Sequence, residues 1–433
     1  MARARRSERV ASLNDLPIED RLASAGLPPL PRTAWIEVDL GALTQNVAVL
    51  RELAGAGVEV HPVVKGNAYG HGMVPVARAL VAAGVDGLCV ATFDEAMALR
   101  TAGITLPILV LFPIPAELAA AARRAAIAAT IGDRQLLDEL LDAIRDDPDA
   151  PPLEVHLELE TGLGRGGFAA ADAQAAVRDV ERAPGLRLLG AWTHLQAPED
   201  EARSRTQVDA FERMSGELEA GGVSLGRRHV SASGSLVLGD GVSRGGVRPG
   251  LATYGLIPDE LLAAPAGRKS DIRVRPAAGP LRPILELRAR PVRVAELPAG
   301  WGISYGPTFT TSRPSRIATL PLGYGDGWSR ALSNRAEALV RGQRVPLVGN
   351  VAMDSVMADV TDVPGEPVTV HDEFVLIGAQ GGERITAMDV ARGRGTNQWE
   401  VVTTLAARLP RVYHAASVPR ELRTLSGDAF PSS

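Results

Sequence analysis

The sequence predicts an α/β protein in which an N-terminal (β/α)8 TIM barrel precedes a C-terminal, mostly β domain. The barrel is predicted because short apolar strands alternate with helical segments about eight times over residues 33–272. The β domain is predicted for residues 273–417, where apolar or alternating runs are separated by Gly and Pro. Residues 1–32 are expected to form a flexible extension, and residues 418–433 a tail.

The predicted barrel strands are short apolar runs. Helices between them favour parallel pairing, because each crossover must travel back along the sheet. Polar residues follow several of these strands, at the edge where barrel enzymes carry their reactive groups. In chain order the strands are "AWIEVDL", "VEVHPVV", "GLCVA", "PILVLF", "AIAATI", "LEVHLELE", "LRLLGAWTHL" and "RRHVSAS".

The intervening segments have helical spacing of apolar residues. In the first of them Leu43, Val47, Leu50 and Leu53 share one helical face. In the predicted β domain, helical spacing is expected only in "AMDVARGRG" and "EVVTTLAARLP". The β segments there are "ILELRARPVRVAELPAG", "SRIATLPLGYG", "AEALVRGQRVPLVGNVAMDSVMADV" and "PVTVHDEFVLIG".

Composition excludes several classes of partner. The formal net charge is −5 and basic residues are dispersed, so neither a nucleic acid nor a membrane is an expected partner. Cys89 is the single cysteine, which excludes an intrachain disulfide and indicates a buried thiol in a reducing compartment. No apolar run approaches the ~20 residues of a membrane span. A cytoplasmic protein without a metal site is expected.

Lys65 is one of only two lysines, the other being Lys269. It follows an apolar strand in "VEVHPVVKGNAYGHG". An amine forms a Schiff base with an aldehyde, whereas a guanidinium stays protonated. Burial at the strand end would lower the pKa of this amine and free the nucleophile. The alternative is a snorkelling lysine at a barrel rim.

Two further segments could bind a phosphate. "ETGLGRGGF" places Gly162, Gly164 and Gly167 in a G-x-G-x-x-G pattern, which fits either a dinucleotide site or a tight turn. "VRPGLATYG" opens the backbone after Arg248. Its amide groups, with those near Ser233, could hold a phosphate.

The ordered set of motifs resembles the alanine racemase family. These enzymes use pyridoxal 5′-phosphate (PLP) and combine a barrel with a β domain. The resemblance covers about residues 33–417. The motifs are "VVKGNAYGHG", "ETGLGRGGF", "WTHLQAPEDE", "HVSASGS", "VRPGLATYG", "ISYGPTF", "TLPLGYGDGW", "VGNVAMDSVMADV" and "GTNQWE".

The resemblance implies a cofactor site in the barrel. Lys65 would bind the cofactor covalently, and Arg248 would contact the pyridine nitrogen. Because arginine only donates, this nitrogen would stay unprotonated, which favours return of a proton to Cα over transamination. The positions implied near the cofactor phosphate are Tyr69, Ser233, Gly250, Leu251 and Trp399.

The resemblance also implies a racemase with one base on each face of Cα. Lys65 would serve the D-face and Tyr305 the other, with His194 linked to Arg248 to lower the tyrosine pKa. Arg165 would bind the substrate carboxylate. In the family, the tyrosine comes from the partner subunit, as do the residues that match Met353 and Asp354. The protein is therefore expected to be a homodimer with shared active sites, supplying D-alanine for peptidoglycan.

Four positions depart from the family pattern. Glu158 stands where many members carry a carbamylated lysine, and we expect its charge to hold Arg165 directly. Trp399 replaces a usual tyrosine, Asn397 a usual isoleucine and Asn350 a usual arginine. These changes leave open a racemase of serine or another small amino acid, or a weakly catalytic PLP-binding protein.

Overall fold

The computed structural model describes residues 16–145, 150–239, 244–257, 259–263 and 279–430. The chain forms two compact units: one runs from Ala42 to Pro283, and the other joins the chain up to Gly41 with the chain from Ile284 onwards. One unit contains a parallel eight-stranded sheet and the other a mostly antiparallel sheet. The predicted fold class is thereby confirmed.

The first strand does not belong to the barrel. β1 (Ala34–Asp39) pairs antiparallel with the strand containing Ala289 and parallel with the strand containing Arg411, both in the second unit. The prediction that "AWIEVDL" opens the barrel is therefore wrong. Its first five residues are all buried, and an apolar run buried on both faces looks the same in a barrel as in the middle of a larger sheet.

The barrel sheet consists of eight parallel strands. It closes beside β2, where Cys89 N donates to Pro62 O (2.9 Å) and Val64 N donates to Cys89 O (2.8 Å). Cys89 is buried, as the sequence predicts. Neighbours follow the order β2-β9-β8-β7-β6-β5-β4-β3. The strands are β2 (Glu59–Val60), β3 (Leu88–Val90), β4 (Ile108–Val110), β5 (Ile127–Ile131), β6 (Leu153–Glu158), β7 (Leu186–Trp192), β8 (Arg227–Ala232) and β9 (Gly246–Arg248).

Helices connect these strands, and several begin with a side-chain cap. Asp133 accepts a hydrogen bond from Leu136 N, and Asp200 from Arg203 N. Among the described residues, no helix has the length and apolar character needed to cross a bilayer. The helices are Leu40–Ala54, Met73–Ala82, Phe93–Thr101, Ala119–Arg124, Arg134–Ile144, Ala170–Arg182, Glu201–Ala220, Ser233–Leu238 and Asp259–Ala263, with 3-10 turns at Ala116–Leu118 and Leu251–Tyr254.

The second unit is built on a twelve-stranded sheet. Its order is β11-β12-β15-β14-β13-β16-β10-β1-β18-β19-β20, and β17 pairs with β16. The strands after β9 are β10 (Leu285–Ala289), β11 (Arg293–Leu297), β12 (Ser315–Leu320), β13 (Glu337–Val340), β14 (Gln343–Val348), β15 (Val356–Asp359), β16 (Phe374–Gln380), β17 (Glu383–Ile385), β18 (Arg411–Ala415), β19 (Val418–Thr424) and β20 (Gly427–Ala429). Helices span Ala387–Arg394 and Gln398–Thr403, and 3-10 turns Tyr324–Asp326 and Arg330–Leu332.

The predicted extension contributes a helix to the second unit. Residues 1–15 lie outside the described part, but Ile18–Ser24 is helical. Its apolar face packs against Trp35 and strands β18 and β19. Arg21 donates twice to the buried carboxylate of Glu37, at 2.8 and 2.7 Å. The prediction of a flexible segment therefore fails from residue 18, because the sequence does not show what its short apolar face covers.

The predicted tail is also part of the sheet. Residues 418–430 form β19 and β20, and Leu422 in β19 pairs with Val412 and Ala429. The polar-rich sequence of β19 hides this, because few of its side chains are apolar. The predicted boundary near residue 272 lies outside the described residues. The compact units meet in sequence at Pro283 and Ile284.

Candidate active site

Lys65 lies where the barrel closes, directly after the segment that pairs with Cys89. Burial lowers the pKa of its amine, and the positive charge of Arg165 lowers it further. A larger share of the amine is therefore neutral and nucleophilic than in free lysine. The position and the direction of the shift agree with those expected of a reactive lysine.

A left-handed turn follows Lys65. The φ angles are 61° at Gly66, 55° at Asn67 and 54° at Ala68. Only glycine and, at some cost, asparagine adopt this conformation readily, so tertiary contacts must stabilise the turn. Asn67 Oδ1 accepts a hydrogen bond from Met73 N (2.8 Å), and Glu95 Oε1 accepts one from Gly66 N (2.7 Å).

The turn brings Tyr69 to the residues predicted to surround a phosphate. Ser233 Oγ accepts hydrogen bonds from Gly250 N (2.9 Å) and Ala252 N (3.1 Å). A Cβ atom at Gly250 would lie 2.6 Å from Tyr69 Oη and 3.9 Å from Ser233 Oγ, so only glycine leaves this space open. The next residue, Leu251, is buried and begins a 3-10 turn.

We call Tyr69, Ser233 and Gly250 the cradle. It differs in one respect from the phosphate site that the sequence predicts. The Gly250 amide, predicted to donate to a phosphate, donates to Ser233 in the structure. Burial raises the pKa of the Tyr69 hydroxyl, which therefore stays protonated as a donor. Its ring packs 5.1 Å from that of Tyr254, whose hydroxyl donates to Val63 O (2.8 Å). Tyr254 therefore connects these residues to the segment between β2 and Lys65.

Arg248, at the end of β9, is buried and held from several sides. Its Nη1 donates to His229 O (2.8 Å) and to His229 Nδ1, and its Nη2 donates to Thr193 O (2.7 Å). The guanidinium lies 4.7 Å from the ring centre of Trp192. Burial lowers its pKa to about 10, so it is still a cation at neutral pH.

Two histidines that the sequence did not single out lie behind Arg248. His229 Nδ1 must accept from the arginine, so its proton is on Nε2, which donates to His156 Nδ1 (3.0 Å). Burial lowers the pKa of His156 to about 3 and that of His229 well below its usual value. The spacing of residues along the chain held no signal for this pair; in the structure, a Cβ at Gly190 would lie 2.8 Å from His156 Nδ1.

His194 is close to these groups but is not linked as expected. In the part of the chain described, Arg248 donates to Thr193 and His229, and no hydrogen bond joins it to His194. Burial first, and then the charges of Arg248, Arg165 and Lys65, together lower the pKa of His194 to about 3. The predicted His194–Arg248 link is thus not found, because Nη1 of the arginine donates to His229 on β8 and Nη2 donates to Thr193 just after β7.

Arg165 approaches Glu158, as the sequence predicts. Its Nη2 lies 3.8 Å from Glu158 Oε1, and its guanidinium lies 5.8 Å from the ring centre of Phe112. Glu158 is buried at the end of β6. Burial raises the pKa of its carboxyl, and the arginine charge opposes that rise. An ion pair therefore forms without a modified lysine.

The glycine-rich loop does not present free amides to a dinucleotide. The carboxylate of Glu160 accepts hydrogen bonds from Gly162 N, from Leu163 N (2.8 Å) and from Gly164 N (2.8 Å). These are the donors that a pyrophosphate would require. The tight-turn interpretation is therefore the one the structure supports.

The remaining predicted residues lie in the second unit. Tyr305 is 81% exposed and Met353 is 53% exposed. Asp354 pairs with Arg408, which also donates to the buried Asp326 (2.7 Å). Trp399 is partly buried in the first turn of Gln398–Thr403.

Comparison with known proteins identifies the family. The model of the alanine racemase N-terminal domain matches residues 38–258, and that of the C-terminal domain matches residues 284–413. Alanine racemase 2 of Caldanaerobacter subterraneus subsp. tengcongensis is 38% identical over 386 residues, which are 88% of this chain and 95% of that protein. The chain belongs to the alanine racemase family. The predicted family and the predicted isomerase class are thus confirmed.

Further members of the alanine racemase family are similar to this chain in sequence and in structure. The protein of Symbiobacterium thermophilum is 39% identical over 384 residues, covering 88% of this chain and 97% of that protein. A crystal structure of alanine racemase from Bacillus anthracis, with bound L-Ala-P, has a TM-score of 0.84 at 34% identity and covers 92% of this chain and 99% of that chain. In this chain, Asn397 caps the helix Gln398–Thr403, because its Oδ1 accepts a hydrogen bond from Glu400 N (3.0 Å).

Proposed function

We propose that this protein interconverts L-alanine and D-alanine with PLP as cofactor. The observation that carries the proposal is a lysine amine of lowered pKa at the barrel closure, in the same unit as the Tyr69–Ser233–Gly250 cradle and the buried cation Arg248. An aldehyde cofactor needs the amine, and its anionic phosphate needs donors and space. The family is PLP-dependent, which supports the same choice.

The residues present fit PLP. Lys65 would hold it covalently, and Tyr69, Ser233, Gly250 and Leu251 would surround the phosphate. The space that a Cβ at Gly250 would fill, 2.6 Å from Tyr69 Oη, supports this assignment. The cofactor supplies an electron sink that acidifies the Cα proton of a bound amino acid. Trp399 is a further proposed contact, with an N–H donor where the family has a hydroxyl.

The chain's own groups orient the reactants and move one proton. Arg248, still cationic, would donate to the pyridine nitrogen of the bound cofactor and would so keep that nitrogen unprotonated. Arg165 binds the substrate carboxylate. Lys65 removes or returns the Cα proton on the D-face, and its lowered pKa suits that work near neutral pH. Tyr305 does the same on the opposite face.

We also propose that the enzyme is a homodimer with shared sites. Tyr305, Met353 and Asp354 would reach the substrate from the partner subunit. The exposure of Tyr305 (81%) and Met353 (53%) supports this, since each side chain is available to a second copy. His194, neutral at its position, would act as a hydrogen-bonding neighbour rather than as a cation. The D-alanine produced in the cytoplasm would supply peptidoglycan.

The test combines stereochemistry with a covalent label. The purified protein is incubated with L-alanine in D2O, and loss of the Cα proton is followed together with formation of D-alanine. We expect both. If the protein inverts serine but not alanine, the substrate is serine rather than alanine. If the PLP-loaded protein shows neither loss of the Cα proton nor formation of D-alanine, the proposal is overturned.

Lys65 is tested directly by borohydride reduction and mass spectrometry. The peptide containing Lys65 is expected to carry a pyridoxyl adduct. Lys65→Arg keeps the positive charge but cannot bond to the aldehyde, so it should lose the adduct and the racemase activity. An adduct elsewhere, or none on this peptide, would contradict the assignment. Lys269 offers a second lysine in the same digest as an internal control.

A further inference from the structure

Tyr305 lies at the tip of a short hairpin in the second unit. The hairpin is held by Ile303 N donating to Phe309 O (3.0 Å) and Thr311 N donating to Trp301 O (3.0 Å). Between these bonds the chain turns through Ser304, whose φ angle is 67°. A left-handed conformation at a non-glycine residue requires support from neighbouring groups. The tip would otherwise be set by few contacts, since Tyr305 itself is 81% exposed.

Asn350 supplies that support. Its Nδ2 donates to Tyr305 O (2.9 Å) and to Gly306 O (2.9 Å). In return, Ser304 Oγ donates to the main-chain oxygen of Asn350 (2.7 Å). The hairpin tip and residue 350 are thus joined by three hydrogen bonds, two of which come from one amide nitrogen.

The preceding residue allows this close approach. Gly349 has a φ angle of 77°, and a Cβ atom there would lie 2.7 Å from Ile303 O. Its amide donates to Asn334 Oδ1 (2.6 Å), and Asn334 Nδ2 donates to Thr308 Oγ1 (2.9 Å) on the far side of the hairpin. The segment after β14 that carries Asn350 is therefore held against the base of the hairpin.

We propose that Asn350 is a positioning residue that sets the approach of the Tyr305 phenol to the substrate. The proposal rests on the function proposed above. A base must be held within about 0.5 Å and 10–20° of its productive geometry. Two bonds from one planar amide to consecutive carbonyl oxygens fix the peptide plane after Tyr305, and with it the direction of the Cα–Cβ bond.

The chemistry of the side chain makes the inference specific. An asparagine amide carries two N–H donors on one nitrogen, which matches two neighbouring acceptors. An aspartate has the same shape but only accepts, so it would face two carbonyl oxygens without a proton to share. Asn350→Asp is therefore a nearly isosteric variant that removes both bonds. Asn350→Ala removes them without adding a charge.

The test exploits the two faces of Cα. In D2O, exchange of the D-alanine Cα proton requires Lys65, whereas exchange of the L-alanine proton and inversion require Tyr305. In both Asn350 variants we expect kcat for inversion, and L-alanine exchange, to fall about tenfold to a hundredfold, as for a misplacement of about 1 Å. Exchange of D-alanine should change little. Tyr305→Phe should show the same asymmetry in stronger form.

A structural readout and a matched control accompany the kinetics. Backbone hydrogen exchange of the peptide covering residues 301–311 should accelerate in Asn350→Ala and not elsewhere. Thr308→Val removes only the Asn334 bond and leaves the Tyr305 and Gly306 carbonyls paired, so it should retain inversion. Loss of both exchange reactions by the same factor, or unchanged inversion in both Asn350 variants, would overturn the inference. A wild-type protein without racemisation would instead overturn the proposed function.

Discussion

Acid should destabilise the barrel through its buried neutral histidines, and His156 offers the clearest test. It is 4% exposed, accepts a hydrogen bond from His229, and its pKa is lowered to about 3 by burial. In the unfolded chain a histidine has a pKa of ~6.5. Between these values the unfolded state binds a proton that the folded state does not, so stability falls as the pH falls.

The size of the effect follows from the two pKa values. At pH 7 the unfolded side chain is mostly neutral, whereas at pH 5 it is almost fully protonated. Each pH unit below ~6.5 costs about 1.4 kcal/mol, so the step from pH 7 to pH 5 costs about 2 kcal/mol for one histidine. The folded state contributes almost nothing, because a pKa of about 3 lies well below pH 5. For a unit of this size, about 2 kcal/mol corresponds to roughly 4–8 °C in Tm.

The assay compares Tm at pH 7 and pH 5 for wild type and His156→Gln. Glutamine keeps an oxygen acceptor for His229 but does not titrate. The acid-induced drop in Tm should therefore be smaller in the variant by roughly 4–8 °C. His371→Gln, at an exposed site, is the control and should match the wild-type drop. An identical drop in His156→Gln and wild type would refute the neutral buried state.

Three further substitutions test other contacts. Glu158→Gln removes the charge that faces Arg165, the arginine proposed to bind the substrate carboxylate, so KM for alanine should rise about threefold to fivefold while kcat changes less. Unchanged kinetics would contradict this role of Glu158. Ser233→Ala leaves two buried amides without an acceptor and should cost about 1–3 kcal/mol in thermal or urea unfolding. Arg21→Ala removes the bidentate partner of the buried Glu37, which keeps its contacts with Trp35 and Arg288, and should cost about 1.5–3 kcal/mol. Arg313→Ala, in an exposed ion pair, should cost far less.

The sequence predicted most of the barrel because its strands and helices carry local patterns. It could not assign β1 to its sheet, because β10 and β18, the strands that pair with β1, lie far away in sequence. It missed the helix Ile18–Ser24 for the same reason, because the apolar partners of that helix come from both ends of the chain. Local periodicity reveals a buried face but not the surface that covers it.

The candidate site was predicted by motif, and its connections were not. Motifs placed Lys65, Ser233 and Arg248 on one unit, and the structure brings Tyr69 to the same cradle as Ser233. The partner of Arg248 was wrongly expected to be His194, because the spacing of motifs along the sequence does not show which way a side chain points at the end of a strand. The sequence also did not predict that the Glu160 carboxylate accepts from the amides of the glycine-rich turn. The pattern G-x-G-x-x-G specifies the backbone shape of the turn but not the group that its amides bind.

The electrostatics of the barrel site follow from which groups carry charge. The positive charges of Arg248, Arg165 and Lys65 help to lower the pKa of His194 to about 3. The pKa of His156 is also lowered to about 3, so neither histidine adds charge at neutral pH. Glu158, a buried carboxylate whose own pKa is raised by burial, acts against the charge of Arg165 and Arg248. Burial, and after it the charge of Arg165, lowers the pKa of Lys65, whereas Glu95 opposes that shift. The basic side chains of the site favour ligands that bring a phosphate and a carboxylate.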